Sequence, residues 1–345
     1  MRIRNLLTLS LLFVAAQLQG AITGSLMTSD GQPVAGATVA VGSFESLHET
    51  RARFLAGAAS VTQTSTETNG KGAFKLDSPK DAVAMLRVTA PGYAPLLRRV
   101  VPDEEVGALV LVKASMKSGT VRAAGKPVAG AKVIWFYAPG GDHIAVTDEQ
   151  GRYQVPDPAT GVRRVVLHPD FAIDNVVLRS AGSLPLDANL TAGGPYTARV
   201  VAPGGSPVPN AQVIVDGWPL AKTGDDGKFT IAHMSPSWRT LIVKAGSLVA
   251  VRFAGGKTSS DLVLGKGATI AGTLTDAKSG VPVAGAEVVA ALPTTYGLDN
   301  ETTVSDGKGR FSFLLAPGSY RIVARHPMYV DATQPADVAA GAVVT

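Results

Sequence analysis

Apolar residues recur at every second position in short runs along this chain, and clusters of Gly, Pro, Asn, Asp and Ser separate the runs. Period-two alternation bounded by turn formers predicts half-buried β-strands. Four runs share one opening. Ala37, Val39 and Val41 alternate with Thr38 and Ala40; Ala131, Val133 and Trp135 do the same, as do Ala211, Val213 and Val215, and Ala286, Val288 and Ala290. Each set is expected to face a core, since successive strand side chains point to opposite faces.

A phrase of the form Gly-x-Pro-Val-x-x-Ala-x-Val precedes each run. Its copies start at Gly31, Gly125, Gly205 and Gly280. The first Gly turns the chain, Pro sets the angle at which the strand begins, and Gly36, Gly130, Asn210 or Gly285 can take a left-handed conformation. A second phrase, Gly-x-aromatic, follows at Gly72-Ala73-Phe74, Gly151-Arg152-Tyr153, Gly227-Lys228-Phe229 and Gly309-Arg310-Phe311. Polar turn clusters stand before it: Thr68-Asn69-Gly70, Thr147-Asp148-Glu149, Gly224-Asp225-Asp226 and Ser305-Asp306-Gly307. The four aromatics lie 79, 76 and 82 residues apart. Two phrases in the same order four times define an internal repeat, and the hairpin between them brings the aromatic into the core.

The expected fold is therefore all-β: four tandem antiparallel β-sandwiches of about seven strands each. Later strands fall at 85–90, 164–168, 240–244 and 320–325, and the repeats close on 108–112, 184–190, 262–264 and 338–344. Those spans divide the chain into a leader, 1–20, and sandwiches at 21–114, 115–193, 194–267 and 268–345. Almost no linker remains between them, which predicts a stiff, bent rod.

The leader reads as an export signal. Arg2 and Arg4 precede an apolar stretch from Leu6 to Leu18, and small residues follow at Ala15, Ala16, Gly20 and Ala21. A basic start, a short apolar core and a small-residue exit are the marks of a secretory signal peptide. Cleavage is expected after Ala16 or after Gly20. No other stretch is long enough to span a bilayer, so no transmembrane segment is expected after cleavage. The protein is placed in the periplasm, at the cell surface or outside the cell.

Composition narrows the function classes. The chain has no cysteine, which excludes disulfides, thiolate metal sites and a cysteine nucleophile. Its formal charge of +5 comes from 32 basic and 27 acidic residues, and two of the basic ones lie in the leader. That balance, without a clustered basic face, argues against a nucleic-acid partner.

Together the phrases Gly-x-Pro-Val-x-Gly-Ala-x-Val, Thr/Ser-Asp-x-x-Gly-x-aromatic and a Pro-aromatic corner carry a family likeness. The corner stands at Pro91-Gly92-Tyr93, His168-Pro169-Asp170-Phe171 and His326-Pro327-Met328-Tyr329. The pattern resembles the carboxypeptidase regulatory-like family, a transthyretin-like, immunoglobulin-like sandwich related to carbohydrate-binding-like folds. The third repeat lacks the corner at Lys244-Ala245-Gly246-Ser247. The resemblance implies a fold; family members stand beside zinc-peptidase domains, in tandem on bacterial surface proteins, or ahead of outer-membrane transporter barrels. None of those uses follows from the sandwich itself.

Motifs for chemistry do not emerge. His48, His143, His168, His233 and His326 sit in no zinc-binding spacing. His168 and His326 occupy the same place in two repeats, which predicts a shared structural role. The Asp-rich turns offer perhaps two oxygens each, against the 6–8 that calcium takes. There is no nucleophile elbow and no phosphate loop. No cofactor or metal is expected, and the chain is read as non-enzymatic.

Two irregularities remain. Trp135 falls at an inward position, whereas Trp218 and Trp238 read as loop residues in the third repeat, where flat rings could stack on a sugar. The first repeat holds 41 residues between Pro33 and Phe74, against 26, 22 and 29 in the later copies. Within this insertion, 44–63, the residues Phe44, Leu47, Arg51, Phe54 and Leu55 recur near helical spacing, with Ser43 and Gly57 as candidate caps. That stretch predicts a short helix over the sandwich or a partner-docking loop. The expected role is an exported structural or interaction protein. The alternatives are a binder of cell-wall or extracellular glycan through Trp218 and Trp238, and an accessory to a peptidase or transporter whose partner is an envelope protein.

Overall fold

The computed structural model describes residues 20–45, 47–58, 62–77, 83–137, 142–157, 161–177, 184–254, 261–291 and 301–344. The leader up to residue 19 lies outside these, as do parts of the insertion. All described elements but one are strands. No helix among the described residues is long and apolar enough to cross a membrane.

The first repeat contains β1 (Ala21–Thr28), β2 (Thr38–Ser43), helix α1 (Leu47–Ala56), β3 (Thr62–Glu67), β4 (Ala73–Asp77), β5 (Ala84–Thr89), β6 (Leu96–Val100) and β7 (Glu105–Leu111). The second runs through β8 (Met116–Ala123), β9 (Lys126–Pro127), β10 (Lys132–Tyr137), β11 (Asp142–Val146), β12 (Arg152–Pro156), β13 (Gly161–Leu167), β14 (Asp174–Val177) and β15 (Ala188–Leu190). The third has β16 (Gly194–Val201), β17 (Gln212–Val215), β18 (Trp218–Lys222), β19 (Lys228–Met234), β20 (Thr240–Ala245), β21 (Leu248–Phe253), β22 (Asp261–Val263) and β23 (Gly265–Lys266). The fourth comprises β24 (Ala268–Thr273), β25 (Glu287–Ala291), β26 (Glu301–Val304), β27 (Arg310–Leu315), β28 (Gly318–Arg325), β29 (Ala332–Val338) and β30 (Val343–Val344).

These strands form eight sheets, two in each repeat. The smaller sheet places the opening strand between two partners, as in β4-β1-β7, and the larger follows the order β3-β2-β5-β6. The same pair of orders recurs in all four repeats, with β9 and β23 as additions. Pairing is antiparallel except where the opening strand meets the closing one, as β1 meets β7. Each pair of sheets shares a core. Ile22 and Leu26 of β1 pack with Val39, Val41, Leu86 and Leu111, all at most 2% exposed. The alternating sets behave as their spacing predicts: Ala37, Val39, Val41, Ala131, Val133, Trp135, Ala211, Val213, Val288 and Ala290 are fully enclosed.

One device explains why the two sequence phrases travel together. The Thr or Ser that opens each polar turn cluster, or in the third repeat the Thr223 just before it, is buried and bridges the Pro-Val phrase. Thr147 Oγ1 donates to the Val128 carbonyl at 2.7 Å and accepts from the Ala131 N–H at 2.9 Å. Thr68, Thr223 and Ser305 make the same two bonds to Val34 and Ala37, to Val208 and Ala211, and to Val283 and Ala286. The glycine of the second phrase is equally constrained. Gly151 has φ of 71°, and a Cβ there would stand 2.4 Å from the Val121 carbonyl oxygen. Only glycine fits such a left-handed residue against a neighbouring strand.

The shared role expected for the two corner histidines is met. His168 Nδ1 accepts from the Asp170 N–H and its ring lies against Phe171; His326 does the same with Met328 and Tyr329.

The rod is not what forms. Arg99 of the first repeat pairs with Glu287 of the fourth, so the first and last repeats meet. Arg87 pairs with Asp142 at 2.6 Å between the first and second repeats, and Lys244 with Glu301 at 2.6 Å between the third and fourth. The short connections bring the repeats together, and α1 supplies a surface on which they close. The fourth repeat also differs from expectation in its closing strand. Val338 ends β29, which pairs with β28, and of the described residues in the expected closing span it is Val343 and Val344 that run parallel to β24.

Candidate functional site

The two irregular places in the sequence meet in space. Helix α1 leaves the first repeat and rests against β18 of the third and β26 of the fourth. Its C-terminus is closed by a left-handed Gly57 (φ 68°), with the Gly57 N–H on the Phe54 carbonyl and the Ala58 N–H on that of Arg53. Gly57 thus caps the helix as its position suggests. Ser43 does not, because it is the last residue of β2. At the other end Glu45 reaches back to Arg53, whose Nε lies 2.8 Å from the carboxylate, and accepts from Thr50 as well.

Phe54 is 4% exposed and packs with Ile134, Val165, Leu167 and Trp218, drawn from the second and third repeats. Its ring meets that of Phe136 edge-on with centroids 6.0 Å apart. One turn earlier, Arg51 is buried and sets its guanidinium 5.6 Å from the centre of the Trp218 ring. A cation over a tryptophan face away from water is a favourable contact. Phe44 lies under Arg99 at 5.2 Å, beside the Arg99–Glu287 pair, and Arg325 approaches Glu287 at 3.8 Å. His326 stands near this cluster; burial, and to a lesser degree the Arg99 charge, hold its imidazole below the ordinary range. Leu47 opens the helix.

Trp218 is thereby relocated. It is the first residue of β18, pairs with Val215 and is 2% exposed, so it offers no face to a sugar. The reason is the dipeptide before it. Asp216 and Gly217 both have positive φ, 48° and 80°, which is the two-residue hairpin turn favoured by Asp-Gly. What reads as a loop is a hairpin, and the ring turns inward. Trp238 is half-buried against the core of the third repeat, edge-on to Tyr196 at 6.0 Å. The two tryptophans belong to different clusters, Trp238 to the core of the third repeat and Trp218 to the packing around Phe54.

The joint also uses residues that the alternation argument leaves facing out. Ile134 lies between the inward Val133 and Trp135 yet has no exposure, and Ile214 is 4% exposed between Val213 and Val215. Ile214 packs with Ile242, Val249 and Ala316, which joins the third repeat to the fourth. The sequence carries the signal: β10 reads Lys-Val-Ile-Trp-Phe-Tyr and β20 reads Thr-Leu-Ile-Val, unbroken apolar runs rather than alternating ones. Such runs mark strands covered on both faces.

Two clefts border the joint. One of about 480 Å³ lies between Phe54, Lys132, His168, Leu220 and His233. The other, about 180 Å³, is polar and includes Asp174, Asn175, Asp216 and Arg239. Its acids are engaged: Asp174 accepts from Arg164 at 2.7 Å, and Asp216 accepts from the Arg239 and Thr240 N–H groups at 3.0 Å. Among the described residues no three His, Asp or Glu side chains gather as a metal site.

Comparison with known proteins yields distant likenesses. The Bacillus anthracis TIE protein is 12% identical, with 90% of this chain and 67% of that one covered at a TM-score of 0.22. BcpA, the major pilin subunit of Bacillus cereus, is 12% identical over 93% of this chain and 95% of its own, at 0.20. GBS52, the minor pilin of Streptococcus agalactiae, is also 12% identical, over 50% and 95%, at 0.21. None superimposes as a whole, and no curated protein matches the chain. The family model of the carboxypeptidase regulatory-like domain matches residues 269–345, so the likeness in the sequence phrases is met in the fourth repeat.

Proposed function

We propose that this chain is an exported, non-catalytic scaffold in which four carboxypeptidase regulatory-like β-sandwiches, divided near residues 114, 193 and 267, are clamped into one body. The observation that carries the reading is the use made of the distinctive side chains. Arg51, Phe54 and Trp218 are buried in contacts between repeats rather than turned to solvent. A joint of this kind fixes the mutual positions of the repeats, which is what a platform for an envelope protein requires. The same burial weighs against glycan stacking on Trp218, so the partner favoured is a protein.

Cell fractionation with N-terminal sequencing tests the export half. The expected result is a chain found outside the cytoplasm and processed after Ala16 or Gly20; retention in the cytoplasm at full length refutes it. Incubation of the purified chain with peptide, ester and glycoside panels tests the other half, and turnover abolished by a point substitution would refute a scaffold. Limited proteolysis of a joint-opened variant should cut near 114, 193 and 267.

A further inference from the structure

The second and fourth repeats use one place on the outer face of the larger sheet in opposite ways. The Ala-x-Val phrase aligns Lys132 with Glu287, and the Pro-aromatic corner aligns His168 with His326. The ladders agree: Lys132 pairs with Leu167, the residue before His168, and Glu287 with Arg325, the residue before His326. The first and third repeats hold the neutral Thr38 and Gln212 there. In the fourth repeat the charge has been met. The Glu287 side chain is 11% exposed and receives Arg99 of the first repeat, whose guanidinium lies over the Phe44 ring.

In the second repeat the charge is reversed and Lys132 has no carboxylate partner among the described residues. A Cβ on Gly57 would stand 2.7 Å from Lys132 Nζ, so the ammonium sits at the C-terminus of α1. A helix end offers roughly half a negative charge, which leaves the ammonium partly uncompensated. Beside it lies the cleft of about 480 Å³, whose apolar walls are Phe54 and Leu55 of α1, Leu167 and Phe171 of the second repeat, and Leu220 and Ile231 of the third. No Asp or Glu is among its described lining residues. Asp170 lies 3.9 Å from His168 but does not line the cleft, and its side chain is 78% exposed. His168 Nδ1 accepts from the Asp170 N–H, so the neutral ring carries its proton on Nε2 as a second donor.

We propose that this cleft binds a small amphipathic carboxylate, with its anionic head on Lys132 and its apolar body between α1 and the third repeat. The fourth repeat shows what such a place takes: a counter-charge brought in on an apolar support. Mostly apolar walls with a few polar groups, at a volume within the roughly 300–1,000 Å³ of small-molecule sites, suit a ligand of this kind. An acid-free lining around one ammonium selects an anion, and a charge-assisted hydrogen bond to a carboxylate is stronger than a neutral one. The aliphatic walls select against a sugar or a bare inorganic ion, neither of which would cover them. The inference goes beyond the scaffold reading and does not rest on it, since a catalytic chain could hold the same cleft.

The test uses the full chain and decanoate as the probe, followed by titration calorimetry. One-to-one saturable binding is expected. Each methylene buried is worth roughly fourfold in affinity, so hexanoate should bind at least about tenfold more weakly. Lys132→Met keeps the apolar stem and removes the charge. It should weaken decanoate about tenfold or more and leave decanol binding unchanged, which also shows that the variant folds. A ligand seated on both α1 and the third repeat holds the joint closed. Decanoate at about ten times its Kd should therefore slow trypsin cleavage after Arg51 and Arg53 about tenfold. No binding, decanol binding the native chain as tightly as decanoate, hexanoate equal to decanoate, or Lys132→Met without effect overturns the proposal. So does the amidated peptide leucyl-glutamyl-leucine slowing cleavage where decanoate does not, by making a protein segment the occupant. Each of these results leaves the scaffold reading to its own fractionation and turnover tests.

Discussion

Phe54→Ala isolates the joint from the cores. The ring is 4% exposed and is enclosed by Ile134, Val165, Leu167 and Trp218, none of which belongs to its own repeat. Truncating a buried Phe costs about 3–5 kcal/mol, and the edge-on pair with Phe136 contributes ~0.5–1.5 kcal/mol of that kind of contact. The partly exposed ion pairs between repeats are worth about 0–1 kcal/mol each, so they cannot compensate. A loss of this size raises the open population of the joint on the order of 10²–10³-fold. Trypsin reads that population directly when opening is fast, because Arg51 and Arg53 lie on the helix that is released. Cleavage after either should accelerate by the same factor. Meanwhile the amides of Val39, Val133 and Val213 should keep their hydrogen-exchange protection, because their cores lie within single repeats. Acceleration below about threefold would refute the joint as a stabilising contact. Parallel loss of protection in all three cores would show instead that the helix is needed for the repeats themselves.

The remaining predictions probe other features. Solution X-ray scattering of the processed chain should give a radius of gyration near ~20 Å, the value for one compact body of this length, whereas four repeats in line would give roughly 35 Å. Trp218→Phe should be close to neutral, since the indole N–H is buried without a hydrogen-bond partner among the described residues, while Trp218→Ala should cost about 3–5 kcal/mol by urea unfolding. Thr147→Val keeps the shape but leaves the Ala131 N–H and Val128 carbonyl without their shared hydroxyl, and should cost about 2–3 kcal/mol in the same assay. Asp306 is held at about 2 by the Arg310 side chain first, and then by the backbone N–H groups of Arg310 and Lys308. A depressed carboxylate stabilises the fold fully above its ordinary value of 3.8 and loses that contribution as pH falls through about 2. A carboxyl resonance with a midpoint near 3.8 would contradict this, and Asp306→Asn should flatten the acid limb of the stability curve.

Strand positions and inward residues were legible because alternation reports burial on one face directly. The pairing of phrases was legible as a repeat, although its cause, a buried hydroxyl joining two turns, needs coordinates to be seen. Trp218 misleads because Asp-Gly marks a turn without saying how long the turn is. In two residues it reverses the chain and makes the next residue a strand position. The joint was the least legible part. Insertion residues at helical spacing point to a helix with something to cover, but not to Ile134 and Leu167 in one repeat and Trp218 in another. Periodicity is local, and contacts between repeats leave only the faint trace of strands apolar on both faces.

The clamp also imposes an order of events on the growing chain. Phe54 and Trp218 are separated by more than 160 positions, and Arg99 and Glu287 by 188. At ordinary synthesis rates, roughly 8–30 s pass between the emergence of Phe54 and that of Trp218. For that interval the first repeat can complete its own sheets, yet Phe54 on its helix has at most the second-repeat part of its seat, Ile134, Val165 and Leu167, to rest on. Docking of α1 is therefore a late step of high contact order, slow compared with the hairpins that build each repeat. During that wait the chain is most exposed to proteases and to its neighbours.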